Sequence, residues 1–169
     1  MKIIAHRGIW LNKSEQNTVK AFNRALRFNC GIELDVRDYR GDIVVSHDIA
    51  SETSIRLSEV IKDIHNLKEP IAINIKSDGI MKECYDILKQ TNLKWFFFDM
   101  SFPESYLCFK YQYPYYYRIS EFEKETKILD YASGIWLDSF KTNWFSRDRI
   151  INFLNLKKEI FVVSSECHG

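Results

Sequence analysis

Histidine, arginine and acidic side chains gather at the ends of short apolar segments in the first fifty residues. His6 and Arg7 follow an apolar run at the N-terminus, Glu33 and Asp35 lie within the segment GIELDV, and His47 follows IVVS. Residues two apart in a strand share one face, so the two carboxylates project together. Paired carboxylates offer oxygen ligands to Mg²⁺ or Ca²⁺. Without a cation or a basic partner such as Arg7, they would repel each other and be costly to bury.

The basic residues in these segments suit phosphate chemistry. Histidine titrates near neutral pH, so His6 and His47 are candidates for general acid and base catalysis. Arg7 can grip phosphate oxygens in a forked geometry, and Lys76 can do so as a point charge. His65 lies within a predicted surface helix, and we assign it no role.

Most later apolar segments also end in polar residues. Asn74 and Lys76 end the segment that begins at Ile71, Asp99 follows an aromatic run, and Asp138 follows GIWL. In a parallel barrel the carboxyl ends of all strands gather at one end, where active sites form. The sequence therefore predicts that these side chains converge on a single site.

Strand-like and helix-like segments alternate along the chain, which favours βαβ units and a parallel sheet. We predict seven main strands, with IVVSH as a hairpin partner of the second. Helices are predicted over 17–28, with Asn17 as N-cap, and over 57–67, 80–90, 123–131 and 147–154. The fold class is α/β, a TIM-like (β/α) barrel. It is predicted to be incomplete, without the last helix and strand, because a full barrel needs eight strands and at least about 200 residues.

The 169 residues are predicted to form a single domain, 1–169. The net charge of +1 gives no indication of a nucleic-acid partner. No apolar run approaches the roughly 20 residues of a membrane span, and the N-terminus lacks a signal peptide. A cytoplasmic protein is the expectation. The four cysteines are widely spaced and predict neither a zinc site nor a disulfide framework.

Several motifs together resemble the glycerophosphodiester phosphodiesterases. HRG near the start, EQNTVKAF, GIELDVRD and VVSHD follow the order and spacing of the N-terminal signature of that family. The later segments NIKSDG, FFFDMSFPE, RISEFE, GIWLDSF and VVSSECHG resemble a short branch of the wider phospholipase C-like phosphodiesterase superfamily. The resemblance covers almost the whole chain and implies a TIM-like barrel with metal-dependent phosphodiesterase activity, which would place the protein in lipid metabolism.

The resemblance also implies roles for individual residues. His6 and His47 would be the acid and base, with either order open. Glu33 and Asp35 would bind the metal, and Arg7 and Lys76 would contact the phosphate. Asn74 stands where the family usually has a glutamate ligand, and a neutral amide oxygen adds no charge to a cation site. Asp99 and Asp138 are candidates to supply the further carboxylate.

The substrate is expected to be a small phosphodiester, such as a glycerophosphodiester or a phospho-sugar or lipid head group. Twelve aromatic residues lie between Trp95 and Tyr117. Most of these twelve suit core packing. Trp136, outside this range and near the end of another strand, is a candidate for substrate binding, and an exposed aromatic patch could support a homo-oligomer. Two alternatives to hydrolysis stay open. One is a catalytically degenerate module that binds phosphate ligands, and the other is a lyase that forms a cyclic phosphate.

Overall fold

The computed structural model describes residues 2–123, 125–142 and 144–168, which fall into two compact units, 1–104 and 105–169. The prediction of a single domain stays a prediction. The first unit contains strands β1 (Ile4–Ala5), β2 (Gly31–Tyr39), β3 (Asp42–Val45), β4 (Ile55–Arg56), β5 (Ile71–Ile75) and β6 (Trp95–Phe98). Its helices are α1 (Val19–Arg27), α2 (Leu57–Asp63) and α3 (Met81–Leu88), and α4 (Phe102–Tyr111) crosses the boundary between the units.

The sheet of the first unit has the order β4-β3-β2-β5-β6, and β1 also pairs with β2. Strands β1, β2, β5 and β6 are parallel, and β3 and β4 are antiparallel additions. Parallel strands buried on both faces carry continuous apolar runs, and β5 is buried throughout. The common direction of β1, β2, β5 and β6 brings the residues that follow them to the same edge of the sheet.

The second unit has a three-stranded parallel sheet of order β7-β8-β9. Its strands are β7 (Tyr116–Ile119), β8 (Gly134–Leu137) and β9 (Glu159–Val162), and α5 (Arg147–Asn155) connects the last two. A buried cluster of Ile119, Leu129, Ile135, Leu137 and Phe153 forms its core. The alternating α/β fold with parallel strands is confirmed. Over the described residues the strands form two sheets and no closed barrel.

Helix α1 begins one residue later than the sequence indicates. The prediction of Asn17 as N-cap is wrong, because Thr18 takes that position and its hydroxyl accepts the N–H of Ala21 at 3.3 Å. Asn17 instead has a left-handed φ of 57°. The helix ends in a Schellman motif, in which Asn29 has φ 53° and the N–H of Cys30 donates to Ala25 O.

The structure differs from the sequence prediction at two further helices. Only residues Lys127–Tyr131 of the predicted helix over 123–131 are helical, and they form a 3-10 helix; residue 124 lies outside the described residues. Helix α4, which has Pro103 in its first turn, was not predicted. None of the helices in the described ranges has the length and apolar character that a membrane span requires.

The turn between β1 and α1 depends on close contact at Gly8. This residue has φ 79°, and a Cβ atom there would lie 2.7 Å from the carbonyl carbon of Ala21 and 2.8 Å from its Cβ. The N–H of Ile9 donates to Ala21 O, so the turn packs directly on the first turn of α1. Any side chain at position 8 would therefore push Arg7 and the turn away from α1.

We expect Gly8→Ala to destabilise the chain by about 1–3 kcal/mol more than Gly41→Ala. Gly41 is a matched control because its φ of 85° also requires the left-handed region, yet a Cβ atom there would meet nothing within 4 Å. Urea unfolding of both variants measures the difference. Equal losses of unfolding free energy would show that the contact with Ala21 does not constrain the turn.

Candidate active site

Two acidic side chains on β2 form the centre of the candidate site. Glu33 and Asp35 are 2% and 0% exposed, although both are carboxylates. Asn74 pairs with Asp35 in the parallel register of β2 and β5, and its Nδ2 donates to Glu33 Oε1 at 3.1 Å. The strand pairing therefore brings two carboxylates and one amide together at the carboxyl edge of the sheet.

Two basic side chains flank this acidic pair. Arg7 places Nε 3.1 Å from Asp35 Oδ2, and its backbone N–H donates to Glu33 Oε2 at 2.9 Å. Lys76 places Nζ 3.5 Å from Asp35 Oδ1 and 3.2 Å from Asp99 Oδ2. Asp99 follows β6 directly and has a left-handed φ of 61°. The structure thus brings Arg7, Glu33, Asp35, Asn74, Lys76 and Asp99 into one cluster, as the strand-end pattern predicts.

Two residues of this site were not assigned to it from the sequence. Asn17 donates through Nδ2 to Asp35 Oδ2 at 2.7 Å and accepts the backbone N–H of Asp35 through Oδ1 at 3.2 Å. Gln16 Oε1 accepts from Arg7 Nη1 at 3.1 Å. Both belong to the EQNT motif. The motif indicated a resemblance in this segment, but it did not predict the direction of these side chains.

The protonation of Glu33 reflects its buried position. Burial and the adjacent charge of Asp35 raise the pKa of Glu33 from 4.5 to about 7. The hydrogen bonds from the Arg7 N–H and from Asn74, together with the charge of Lys76, act in the opposite direction. Without a bound cation, this carboxyl group therefore holds its proton to a higher pH than an exposed glutamate does.

Oxygen atoms suited to a hard cation are present in the cluster. Asp35 Oδ1 and Asn74 Oδ1 are buried and accept no hydrogen bond. Buried oxygens without a hydrogen bond are costly, and coordination to a cation would satisfy them. The described residues contain no group of three or more His, Cys, Asp or Glu side chains arranged to hold a metal ion. The candidate set is instead two carboxylates and an amide, which fits a hard cation by donor type.

His47 lies in the same depression as Arg7. This depression has a volume of about 250 Å³, and its lining includes Arg7, Lys13, Gln16, Asn17, Ser46 and His47. His47 Nδ1 lies 2.9 Å from Asp48 Oδ1, and the hydrogen bond with His47 lowers the pKa of Asp48. The backbone O of His47 accepts from Arg37 Nε.

His6 is half-buried directly before Arg7, and its carbonyl accepts from the Trp10 indole at 3.1 Å.

Two predicted site residues belong to the second unit. Asp138 is 3% exposed, and its Oδ1 lies 2.6 Å from His168 Nε2 and accepts the N–H of Ser139 at 2.9 Å. Trp136 is buried, and its ring packs on Phe161 with centroids 6.2 Å apart. The roles of Asp138 in metal binding and of Trp136 in substrate binding stay predictions.

The structure defines the class of protein to which this chain belongs. It has an α/β fold, and cationic side chains near the ends of parallel strands flank a buried acidic cluster. The fold is similar to that of a phosphodiesterase from Oleispira antarctica, whose structure contains the product sn-glycerol-3-phosphate. The TM-score is 0.76 at 15% sequence identity, and the match covers 97% of this chain and 84% of that chain. The resemblance seen in the sequence motifs is thus confirmed at the level of the fold. No family sequence model and no curated protein sequence matches the chain.

The raised pKa of Glu33 predicts how stability changes with pH. Glu33 binds its proton more tightly in the folded than in the unfolded chain between about pH 4.5 and 7, so its contribution to the free energy of unfolding decreases as pH rises through this window. The decrease is up to roughly 3 kcal/mol at 1.4 kcal/mol per pKa unit. Urea unfolding at pH 5 and 7.5 with a chelator present measures it. Glu33→Gln should remove this decrease, and the exposed control Glu52→Gln should retain it. Parallel pH profiles for the wild type and Glu33→Gln would contradict the assignment.

Proposed function

We propose that this chain is a metal-dependent hydrolase of phosphodiesters, with glycerophosphodiester-like or head-group substrates. The observation that carries the proposal is the cluster of Glu33, Asp35 and Asn74. It contains two buried oxygens that accept no hydrogen bond, and the cationic side chains of Arg7 and Lys76 lie beside Asp35. The fold shared with the Oleispira antarctica phosphodiesterase and the sequence motifs support the same reaction class.

Substrate binding is assigned to the cationic side chains. Arg7 lines the depression beside His47, so a phosphate group there would meet a residue with a permanent positive charge. Gln16 holds Nη1 of the Arg7 guanidinium without adding a negative charge, which leaves the site attractive to an anion. Lys76 offsets part of the negative charge of Asp35 and Asp99, so that the carboxylates repel the substrate less.

A divalent cation would be held by Glu33, Asp35 and Asn74, and it would supply Lewis acidity that stabilises the charge developing on the phosphate oxygens. Mg²⁺ and Ca²⁺ both accept such oxygen ligands. The sequence predicts a further carboxylate for the cation site. We assign this role to Asp99, because Lys76 Nζ contacts both Asp99 and Asp35.

Proton transfer is assigned to His6 and His47. A water oxygen attacks phosphorus, and the bond from phosphorus to the leaving alcohol oxygen breaks. One histidine takes the proton of the water, and the other donates a proton to the leaving oxygen, giving a phosphomonoester and an alcohol. With Nδ1 of His47 engaged by Asp48, Nε2 is the nitrogen that exchanges the proton.

We expect purified protein to hydrolyse a chromogenic phosphodiester with Mg²⁺ or Ca²⁺ and to lose this activity in EDTA. His47→Ala should lower kcat by about 100-fold or more, because general acid–base catalysis contributes 10²–10⁴-fold. His65→Ala is the matched control, since His65 is an exposed histidine near α2 whose Nδ1 contacts Lys62 O. Equal rates for the two variants would exclude His47 as an acid or base.

A second candidate function is phosphate-ligand binding without turnover. It is favoured by Asn74, which adds no charge where a third carboxylate would strengthen a cation site, and by the hydrogen bonds already made to both oxygens of Glu33. Calorimetry with sn-glycerol 3-phosphate separates the two functions. Binding of this ligand by a folded chain that shows no metal-stimulated hydrolysis would support the binding module and exclude the hydrolase.

A further inference from the structure

Asn17 occupies an unusual position for a residue just before a helix. Its φ of 57° lies in the left-handed region, which costs most residues energy but which asparagine tolerates. This backbone conformation turns the side chain away from the capping role that Thr18 fills and directs it to Asp35. A strained conformation of this kind persists where the surrounding contacts compensate for it.

Both polar ends of the Asn17 amide are used on the same partner. Nδ2 donates to Asp35 Oδ2 at 2.7 Å, and Oδ1 accepts the Asp35 backbone N–H at 3.2 Å. Asp35 Oδ2 is therefore held by Asn17 and faces Arg7 Nε, whereas Asp35 Oδ1 is buried, accepts no hydrogen bond and lies 3.5 Å from Lys76 Nζ. The amide thus determines which oxygen of this carboxylate is left to face a ligand.

The backbone of Asn17 also reaches the other carboxylate through Arg7. The N–H of Asn17 donates to Arg7 O at 3.1 Å, and the N–H of Arg7 donates to Glu33 Oε2 at 2.9 Å. Arg7 has a left-handed φ of 54° as well. One short segment before α1 is therefore connected to both acidic residues of β2.

We propose that Asn17 is a positioning residue, which orients the Asp35 carboxylate so that Oδ1 is presented to a divalent cation. The inference rests on the proposed function, because it assumes that this cluster binds a cation. Groups that orient metal ligands typically change cation affinity or activity 10–100-fold when they are removed. Asn17 acts in this way through Asp35 and exchanges no proton with the substrate.

The test compares Asn17→Gly with Asn29→Gly. Glycine adopts a left-handed φ without strain, so each variant keeps its backbone conformation and loses only its side chain. Asn29 is a matched control, since it has φ 53° and is exposed beyond the other end of α1, a nine-residue helix about 14 Å long. Asn17→Gly removes both bonds to Asp35 and leaves the backbone link to Arg7 intact.

Binding of Mg²⁺ or Ca²⁺ alone is measured by calorimetry, and kcat and KM are measured at saturating cation. We expect Asn17→Gly to weaken cation binding about 10–100-fold and to lower kcat, with KM changed less than about threefold. Asn29→Gly should match the wild type in all three quantities. A purely structural role would lower the urea midpoint of Asn17→Gly but leave the cation affinity and kcat of the folded protein unchanged, and that result would overturn the proposal.

A measurement on the wild type guards against a variant that does not fold. The side-chain amide NMR signal of Asn17 should shift when Mg²⁺ or Ca²⁺ is added, whereas that of Asn29 should not. A wild type that binds neither cation and hydrolyses no phosphodiester would refute the proposed function, and the positioning role with it. An active, cation-binding wild type whose Asn17 signal does not respond would overturn the positioning role alone.

Discussion

Two carboxylates buried side by side on β2 impose the strongest constraint on the first unit. An ion removed from water loses several kcal/mol of solvation unless nearby charges and hydrogen bonds replace it. Glu33 and Asp35 obtain these charges and hydrogen bonds from four residues. Arg7 follows β1, Asn17 precedes α1, Asn74 belongs to β5 and Lys76 follows β5. Electrostatic compensation therefore holds the loops at the carboxyl edge in addition to apolar packing. The close contact of Gly8 with α1 belongs to the same arrangement, because it fixes the turn that carries Arg7.

The amide at position 74 lessens the repulsion within this acidic pair. A carboxylate there would place a third negative charge beside Glu33 and Asp35, whereas the amide donates to Glu33 and still offers an oxygen. The second unit compensates its buried acid differently, since Asp138 contacts a histidine ring and a neighbouring backbone N–H. Each unit thus surrounds its buried acidic residues with its own set of local partners.

The sequence predicted the acidic cluster well because strand periodicity and parallel direction determine where such residues meet. Glu33, Asp35, Asn74 and Lys76 needed only a correct assignment of β2 and β5. Asn17 could not be placed in this way, because Asn17 and Thr18 are both good capping residues and only the backbone φ distinguishes their roles. Helix α4 was not predicted because Leu107 and Cys108 fill the positions between Tyr106 and Phe109, so that its apolar residues do not form one helical face. Several of its aromatic residues are also exposed. Contacts made through loops depend on tertiary geometry that local patterns do not encode.

The hairpin of β2 and β3 has a consequence for how the site is assembled during folding. Tyr39 pairs with Asp42 across a two-residue turn, in which Arg40 and Gly41 have φ of 50° and 85°, as a type I′ turn requires. Such a hairpin forms within microseconds, because little chain entropy is lost in closing so short a loop. Pairing of β2 with β5 closes a much longer loop and is expected to be slower. Strand β2, which carries both acids, can therefore form while the two carboxyl groups are still hydrated. Its later pairing with β5 then excludes water from them.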